Sequence, residues 1–396
     1  MARTLYAEDG RSEVLSLAAL ADARREITSW PGYEPTPLRR LRGLAEAARV
    51  CEILYKDEAG RFGLGSFKAL GGAYAVLRLL QREIGALTKQ APSARELMAG
   101  QHREFTARLT VTCATDGNHG RSVAWGAQMF GCRCVIYVHE TVSEGRCRAI
   151  AAFGAEVRRV PGTYDDAVRR AAADAAAHGW HVVSDTSYAG YTEIPRDVMQ
   201  GYALMAEEAL AQTPAGRLPT HVFVQGGVGG LAAAICSYLW ERLGDARPRF
   251  VVVEPTKADC LYRSAVAGKP TPAEGALDTI MAGLACGEVS IEAWRILNAG
   301  ADAFMAIDDE AAAACMRLLA TGYGVDAPVV AGESAVAGLA ALLLGSVDAT
   351  ARRRLGLDTE SSVLVFGTEG ATDPEVYVRI VGRTPAEVYA ASEHAR

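Results

Sequence analysis

Short apolar runs rich in valine and isoleucine alternate with stretches of helical period along most of the chain. This alternation is typical of an α/β protein with parallel strands. The clearest predicted strands are Leu109 to Cys113, Cys134 to Val138, Val222 to Gln225, Phe250 to Glu254 and Ser362 to Phe366. We therefore expect an α/β fold with open, mostly parallel sheets that are flanked by helices.

Between the strands, apolar residues at three- and four-residue spacing predict helices with one buried face. One such set is Leu70, Ala73, Tyr74, Leu77 and Leu80, and a second is Tyr164, Ala167, Val168, Ala171, Ala172 and Ala175. Lys68 then lies in or just before the first turn of the helix that contains Leu70.

Lys68 is a single lysine among small and apolar residues, in the stretch Gly65-Ser66-Phe67-Lys68-Ala69-Leu70-Gly71-Gly72. A helix start carries a positive partial charge, which disfavours an ammonium group, and loss of hydration disfavours it further. A lysine in such a place deprotonates more readily and is suited to act as a nucleophilic amine. From spacing alone, an ordinary solvated lysine is the more frequent case, because buried lysines are rare.

A glycine-rich loop, Gly226-Gly227-Val228-Gly229-Gly230, joins the strand that ends at Gln225 to a helical run from Leu231 to Trp240. Without side chains, backbone N–H groups can converge on an anion, and the helix that follows adds its positive end. The loop is a candidate phosphate site, although tight turns also use glycine for geometry alone. Its pattern is neither G-x-G-x-x-G nor a Walker loop, which argues against dinucleotide binding and nucleotide hydrolysis.

A second turn, Ala114 to Gly120, lies between the first predicted strand and a helix predicted to begin near Arg121. Thr115 and the N–H groups after it are placed to hold a carboxylate, and Asn118 can donate a hydrogen bond. Asp116 would repel a carboxylate there unless it serves as a base or neutralises a cation. As an ordinary N-cap it needs neither role.

Two more polar residues follow apolar strands. Thr368 stands in the turn after Phe366, at a strand end where open α/β sheets bind ligands, and offers a neutral hydroxyl. A threonine in a glycine turn usually bonds only nearby backbone. Asp185 follows Val182 and Val183 and is consistent with a plain polar strand end. Neither residue alone indicates a function.

Length and charge narrow the class of protein. At 396 residues the chain exceeds the usual size of one core, so two domains or lobes are expected. The net charge is −6 and the basic residues are scattered, which argues against a nucleic-acid partner. The first residues include acids where a secretory signal would have an apolar run, and no later run reaches the roughly 18 apolar residues that span a bilayer. We expect a soluble, cytoplasmic protein with no membrane partner.

The nine cysteines are widely spread and include no C-x-x-C pair. They indicate neither a disulfide framework nor a zinc site, and no metal site is predicted. Cys260 and Cys286 flank a stretch with glycine and proline and could meet, which the sequence does not decide.

A lysine, an asparagine-containing turn, a glycine-rich cup and a strand-end hydroxyl follow one another along the chain. Further motifs are Tyr33-Glu34-Pro35-Thr36-Pro37-Leu38, Lys56-Asp57-Glu58, Arg61-Phe62-Gly63-Leu64-Gly65 leading into Ser66-Phe67-Lys68, Ala114-Thr115-Asp116-Gly117-Asn118-His119-Gly120-Arg121, Asp185-Thr186, Gly190-Tyr191-Thr192-Glu193-Ile194-Pro195 and Met281-Ala282-Gly283-Leu284-Ala285-Cys286-Gly287. With these features the chain resembles the pyridoxal-phosphate enzymes of the tryptophan-synthase-β type, fold type II, over nearly its whole length. Within that superfamily it is most similar to the diaminopropionate ammonia-lyases.

The resemblance implies a two-lobed, tryptophan-synthase-β-like fold, pyridoxal 5'-phosphate as the cofactor, and a homodimer. Lys68 would form the Schiff base with the cofactor, and Asn118 would contact its phenolic oxygen. The loop from Gly226 to Gly230 would hold the phosphate, and Thr368 would face the pyridine nitrogen. The large pyridoxal-phosphate domain would comprise residues 1–84 and 191–396, and the small domain residues 85–190.

The resemblance also implies the elimination of 2,3-diaminopropionate to pyruvate and ammonia. Asp116 and Asp185 match acidic residues at the active site of the lyases, whereas serine and threonine dehydratases tend to have a small residue where Asp116 stands. The alternatives are such a dehydratase, an amino-acid racemase that uses two bases, or a non-catalytic amino-acid-binding protein on the same scaffold.

In that reaction Lys68, once the substrate α-amine has displaced it from the cofactor, is placed to remove the Cα proton. Asp185 is the candidate for keeping the β-nitrogen protonated and oriented. Lys68 reaches one face of Cα, and Asp116 could serve the other face and admit the D enantiomer. Thr368 would not strongly stabilise a protonated pyridine, which would favour elimination.

Overall fold

The computed structural model describes residues 12–115, 117–214 and 217–394. Its strands are, in chain order, β1 (Leu38–Arg40), β2 (Glu52–Asp57), β3 (Thr110–Ala114), β4 (Arg133–His139), β5 (Glu156–Val160), β6 (His181–Val182), β7 (His221–Gln225), β8 (Arg249–Pro255), β9 (Ala303–Ile307) and β10 (Ser362–Gly367). They form one six-stranded and one four-stranded sheet.

The α-helices in these residues are α1 (Leu17–Ile27), α2 (Arg42–Ala48), α3 (Lys68–Thr88), α4 (Ala94–Met98), α5 (Arg103–Thr106), α6 (Asn118–Phe130), α7 (Glu144–Ala151), α8 (Tyr164–His178), α9 (Glu193–Gln212), α10 (Gly230–Leu243), α11 (Cys260–Ala267), α12 (Ile291–Gly300), α13 (Asp309–Thr321), α14 (Ala337–Val347), α15 (Ala349–Leu355), α16 (Pro374–Val381) and α17 (Pro385–His394). Short 3₁₀ turns cover Glu58–Gly63, Gly244–Ala246 and Ala282–Leu284. None of the helices in the described part of the chain has the length and apolar character needed to cross a membrane.

The chain divides into two compact units. The large unit comprises Pro35–Ser66, Met205–Arg396 and the residues before Leu15, and the small unit comprises Leu15–Glu34 and Phe67–Leu204. The predicted two-lobed α/β class is confirmed. The units change at Ser66 and Leu204, so α3 belongs to the small unit. The assignment of residues 85–190 to a small functional domain stays a prediction.

The large unit is built on the six-stranded sheet, in the order β1-β2-β10-β7-β8-β9. Only β1 is antiparallel to its neighbour, and β7 and β10 are buried along their whole length. Phe223 of β7 and Val251 of β8 share an apolar cluster with Leu339 and Leu342 of α14. Because β7 and β10 are parallel neighbours, the loop after β7 and the turn after β10 leave the sheet at adjacent places.

The small unit is built on the four-stranded, all-parallel sheet, in the order β5-β4-β3-β6. Helix α8 packs on this sheet through Ala167 and Ala171 against Val135 and Tyr137 of β4. Strands β3 and β6 are parallel neighbours, so the residues after Ala114 and after Val182 leave the sheet side by side. Those two strand ends position the polar residues described below.

The five strands predicted from apolar runs are all present and differ from the prediction by at most one residue at each end. Two helix predictions differ from the structure. Helix α6 begins at Asn118 rather than near Arg121, because Gly117 takes a φ of 154° and lets the chain turn into the helix immediately. In α8, Tyr164, Val168 and Ala172 are exposed, so the buried face is narrower than predicted and consists of Ala167, Ala171 and Ala175.

Candidate active site

Lys68 is the first residue of α3, as predicted, and α6 holds its backbone in place. The Ser122 hydroxyl donates a hydrogen bond to the carbonyl oxygen of Lys68 at 2.6 Å and accepts one from Ala73 N at 3.1 Å. Gly72 permits this contact, because a Cβ there would overlap Ser122 Oγ. The first turn of α3 is therefore fixed to α6.

The Lys68 side chain reaches Asp185, which follows β6. Lys68 Nζ lies 2.5 Å from Asp185 Oδ2, and the two side chains are only 20% and 17% exposed. Burial raises the pKa of Asp185, but the Lys68 ammonium beside it outweighs burial and holds that pKa well below its usual range. The structure thus brings together two of the predicted catalytic residues as an ion pair.

Tyr191 fixes the segment that carries Asp185. Its hydroxyl donates a hydrogen bond to Val182 O and accepts one from Ser184 N, both at 2.9 Å. The sequence alone predicts no contact for Tyr191, because spacing does not show that its side chain reaches back to the strand end. The bond keeps residues 182–184 in one conformation beside β3.

His119 joins the same two strand ends. His119 Nε2 lies 2.8 Å from Val183 O, so the neutral ring carries its proton at Nε2. Burial lowers the pKa of His119, and its Nδ1 lies 3.8 Å from Asp185 Oδ2. Within the described residues this Nδ1 has no hydrogen-bond partner. The prediction gave His119 no chemistry, and the structure places it as support for the Asp185 segment.

Thr115 closes the turn after β3 on itself. Its hydroxyl oxygen accepts hydrogen bonds from Gly117 N at 3.0 Å and from Gly120 N at 3.1 Å. Two of the N–H groups that the prediction offered to a substrate carboxylate are therefore used within the turn, and the hydroxyl proton of Thr115 is the donor left over. Asn118 opens α6. Asp116 lies outside the described residues.

The glycine-rich loop of the large unit is packed closely between β7 and α10. Gly226 N donates to Val253 O at 2.8 Å, and Val228 O accepts from Ser290 N at 2.9 Å. A Cβ at Gly226 would lie 2.6 Å from Leu261 Cδ1, and Gly229 has a φ of 98°. Side chains are disfavoured at Gly226 and Gly229, which leaves the backbone at the N-terminus of α10 available to an anion.

Thr368 follows β10 and is oriented by Gln225 at the end of β7. Gln225 Nε2 donates a hydrogen bond to Thr368 Oγ1 at 2.8 Å and another to Phe366 O at 2.8 Å. The hydroxyl oxygen is thus used as an acceptor, and its proton is left to donate to a further group. Gln225 was read from the sequence only as the end of a strand.

The cysteines near the loop are all described and none of the nine forms a disulfide bond. The Cys260 thiol lies 3.6 Å from Gly227 O, and a Cβ on Gly227 would lie 3.1 Å from Cys286 Sγ. The two cysteines that the sequence left undecided therefore both lie beside the glycine-rich loop as thiols.

Glu254, at the carboxyl end of β8, is fully buried next to the same loop. Its two carboxyl oxygens accept hydrogen bonds from Leu261 N at 2.9 Å and Tyr262 N at 2.7 Å, at the start of α11. Those bonds favour the charged form, but burial outweighs them and raises the pKa of Glu254 to about 8.

We expect Glu254→Gln to change how stability depends on pH. The pKa of Glu254 is about 8 in the folded chain and about 4.3 in the unfolded chain. Between these pH values Glu254 is protonated in the folded chain but not in the unfolded chain, so the stability of the fold decreases as the pH rises from about 4.3 to about 8. The glutamine variant lacks this titration, so its melting temperature should fall less than that of the unchanged chain between pH 6 and pH 9. Parallel curves for the two proteins would contradict the raised pKa, and Glu360→Gln, at an exposed site, is the control.

The chain is similar to proteins of known structure and function. Residues 29–367 match a family model described as "Pyridoxal-phosphate dependent enzyme". Diaminopropionate ammonia-lyase of Escherichia coli strain K12 is 42% identical over 358 residues, which cover 88% of this chain and 88% of that protein. The crystal structure of the Escherichia coli enzyme in complex with D-serine is 39% identical, with a TM-score of 0.86 and coverage of 93% of both chains. Its complex with an aminoacrylate-PLP azomethine reaction intermediate has a TM-score of 0.83 at 40% identity, covering 93% of this chain and 92% of that one.

Proposed function

Because the chain belongs to the pyridoxal-phosphate-dependent enzymes and, within them, to the diaminopropionate ammonia-lyase family, we propose that it converts 2,3-diaminopropionate and water to pyruvate and two molecules of ammonia. The family predicted from the motifs is confirmed, and so is pyridoxal phosphate as the cofactor. The observation in the structure that carries the proposal is the amine of Lys68, the first residue of a helix, which is bonded to the partly buried carboxylate of Asp185.

The residues present fit the cofactor. Close contacts leave little room for side chains at Gly226, Gly227 and Gly229, and the loop opens a 14-residue helix, which suits a phosphate group. Thr368 has a hydroxyl proton to donate to the pyridine nitrogen, Asn118 would contact the phenolic oxygen, and Lys68 would be the point of attachment. Pyridoxal phosphate, when bound, supplies an electron sink for the pair left at Cα.

Lys68 changes partner during the reaction that we propose. Its ammonium is the cation on Asp185 in this structure. Once Lys68 is attached to the cofactor, Asp185 needs another cation, and the β-ammonium of diaminopropionate is a group of the same kind. In the structure the Lys68 ammonium therefore occupies the position beside Asp185 that we assign to the substrate β-ammonium.

Lys68 and Asp185 have different tasks in the elimination. The free Lys68 amine would remove the Cα proton from one face. Asp185, kept ionised by its low pKa, holds the β-nitrogen as an ammonium, so that it leaves as neutral ammonia. The released enamine is hydrolysed to pyruvate and the second ammonia. Thr115 and Asp116 lie next to each other in the chain and are the further substrate-binding candidates.

Thr368 biases the reaction toward elimination. Its hydroxyl is neutral, and Gln225 already occupies its acceptor oxygen. Thr368 would face the pyridine nitrogen as a hydrogen-bond donor and would not hold it protonated, so the cofactor would supply a weaker electron sink and expulsion of the β group would be favoured. This argument also weighs against the racemase alternative.

Asp116 is proposed as the base for the opposite face of Cα. We expect Asp116→Asn to lower turnover of D-diaminopropionate by about 10²-fold or more and that of the L enantiomer far less, because a positioned general base contributes about that much. Pyruvate release from each enantiomer gives the ratio. Equal losses on both enantiomers would remove Asp116 from this role.

The proposed function is tested by pyruvate or 2-oxobutyrate release from the cofactor-loaded protein given D- and L-diaminopropionate, serine and threonine in parallel. We expect diaminopropionate to be turned over well above serine and threonine. Turnover of serine or threonine alone would identify a dehydratase. Loss of optical rotation without pyruvate would identify a racemase, and failure to bind the cofactor covalently would favour a non-catalytic binding protein.

The proposal includes a homodimer in the cytoplasm, with a small amino acid as substrate and neither nucleic acid nor membrane as a partner. The homodimer is supported by the family resemblance alone. The net charge of −6 supports the absence of nucleic-acid binding. Sedimentation of the purified protein would decide the oligomeric state.

A further inference from the structure

Tyr202 lies where α9 presses against the first turns of α3. A Cβ on Gly201 would overlap the carbonyl oxygen of Leu70, and a Cβ on Gly71 would overlap the Tyr202 ring. The two helices therefore meet backbone to backbone, with glycine on each side of the contact. The close contact between the helices holds the Tyr202 ring against Gly71, one helical turn after Lys68 in α3.

The Lys68 amine lies beside two aromatic rings. Its Nζ is 5.5 Å from the centroid of the Phe67 ring and 5.8 Å from that of the Tyr202 ring, and the two rings are 4.7 Å apart. The rings cover one side of the amine with π-electron density, which attracts an ammonium and excludes water. Packing alone would be served equally well by phenylalanine at position 202.

The packing of the two rings does not explain the hydroxyl of Tyr202. The side chain is 1% exposed, and the hydroxyl has no hydrogen-bond partner among the described residues. A buried polar group without a partner costs free energy, so such a group requires an explanation. Burial raises the pKa of Tyr202 well above its usual range, and the charges of Lys68 and Asp185 act on it less strongly than burial does. The phenol therefore stays neutral beside the ion pair.

We propose that the Tyr202 hydroxyl positions Lys68 during catalysis, by accepting a hydrogen bond from its amine when that amine is bonded to neither Asp185 nor the cofactor. This inference rests on the proposed function, in which the substrate β-ammonium takes the place of Lys68 on Asp185. A neutral amine has two N–H groups and one lone pair. With one N–H held by Tyr202, the lone pair is directed to the Cα proton instead of rotating freely. Tyr202 is a positioning residue that acts through Lys68.

The test compares Tyr202→Phe with Tyr377→Phe. Tyr377 in α16 is a matched control, because its side chain is 1% exposed and its hydroxyl likewise has no partner among the described residues. Both substitutions remove one unpaired buried hydroxyl, so neither should lower the melting temperature. The first readout needs no substrate: it is the rate at which the cofactor absorbance changes when pyridoxal phosphate is added to the apoprotein and attaches to Lys68.

We expect Tyr202→Phe to slow this attachment roughly tenfold, the effect of one hydrogen bond on a reacting group, and Tyr377→Phe to leave it unchanged. The second readout is the ratio of L- to D-diaminopropionate turnover, which should fall severalfold in Tyr202→Phe, because Lys68 is the base for only one face.

Three results for Tyr202→Phe would overturn the inference. The first is an attachment rate and an enantiomer ratio equal to those of the unsubstituted protein. The second is an equal loss of turnover on both enantiomers together with a lower melting temperature, and the third is a variant that does not fold. The last two would mean that the hydroxyl has a structural bond. Absence of pyruvate from the unchanged chain would instead refute the proposed function, and the attachment rate would still test Tyr202.

Discussion

Lys68→Ala is expected to lower kcat/KM for diaminopropionate by at least about 10³-fold, because one side chain is removed that serves both as the attachment point of the cofactor and as a base. The protein should still fold, since the backbone of Lys68 stays bonded to Ser122. Pyruvate release measures the loss. The same variant should show no cofactor absorbance band that borohydride can trap on the chain.

Lys68→Arg separates the chemistry of the amine from its charge. Arginine keeps a cation next to Asp185, but a guanidinium does not deprotonate in proteins and cannot attach to the cofactor. We expect it to be as inactive as Lys68→Ala but more stable as an apoprotein, because Asp185 keeps a partner. Lys269→Ala, at an exposed lysine, should behave like the unchanged chain. A trapped label on any lysine other than Lys68 would overturn the assignment.

Five of the ten strands in the described residues could be predicted from the sequence, because those five are buried along most of their length. A parallel strand covered by helices has no polar face, so β7 and β10 appear as unbroken apolar runs. β2 was missed for the opposite reason. Its sequence, Glu-Ile-Leu-Tyr-Lys-Asp, ends in charged residues, although Lys56 is completely buried.

The charge of Lys56 is balanced by residues that are far away in the sequence. Its Nζ lies 2.7 Å from Glu208 Oε2, and Arg61, also buried, bonds both Glu58 and Glu208. The sequence separation of 152 residues between Lys56 and Glu208 gives no local signal. Burial of such a pair is tolerated only when every charge has a partner, which becomes visible only in the folded chain.

The same limit applies to the active-site residues. Lys68 and Asp185 are 117 residues apart, and each had an ordinary explanation when taken alone. Only the resemblance placed both in one site. Tyr202 escaped notice because an aromatic residue at an apolar position of a helix is usually part of the core, and its ring is indeed buried. The missing hydrogen-bond partner of its buried hydroxyl, on which the proposed role of Tyr202 depends, becomes visible only in the folded chain.

Asp185→Asn is expected to lower kcat/KM for diaminopropionate by about 10²–10³-fold, because an amide cannot hold the departing nitrogen as an ammonium. The effect should depend on the charge of the leaving group. D-Serine has a neutral hydroxyl at the same position, so its binding, measured as competitive inhibition, should change much less. Asp197→Asn is the matched control: its carboxylate pairs with Arg82 at 2.6 Å and is 15% exposed, close to the 17% of Asp185.

The apoprotein gives a second, independent readout of the same residue. Since the pKa of Asp185 is lower in the folded chain than its ordinary value of about 3.9, the ion pair with Lys68 stabilises the fold fully above that pH, and this stability is lost as the pH falls toward the folded-state pKa. Asp185→Asn should therefore melt at a lower temperature than the unchanged chain at pH 7, with a smaller difference below about pH 4. If D-serine binding fell as much as diaminopropionate turnover, Asp185 would be acting on the whole site and not on the β-ammonium.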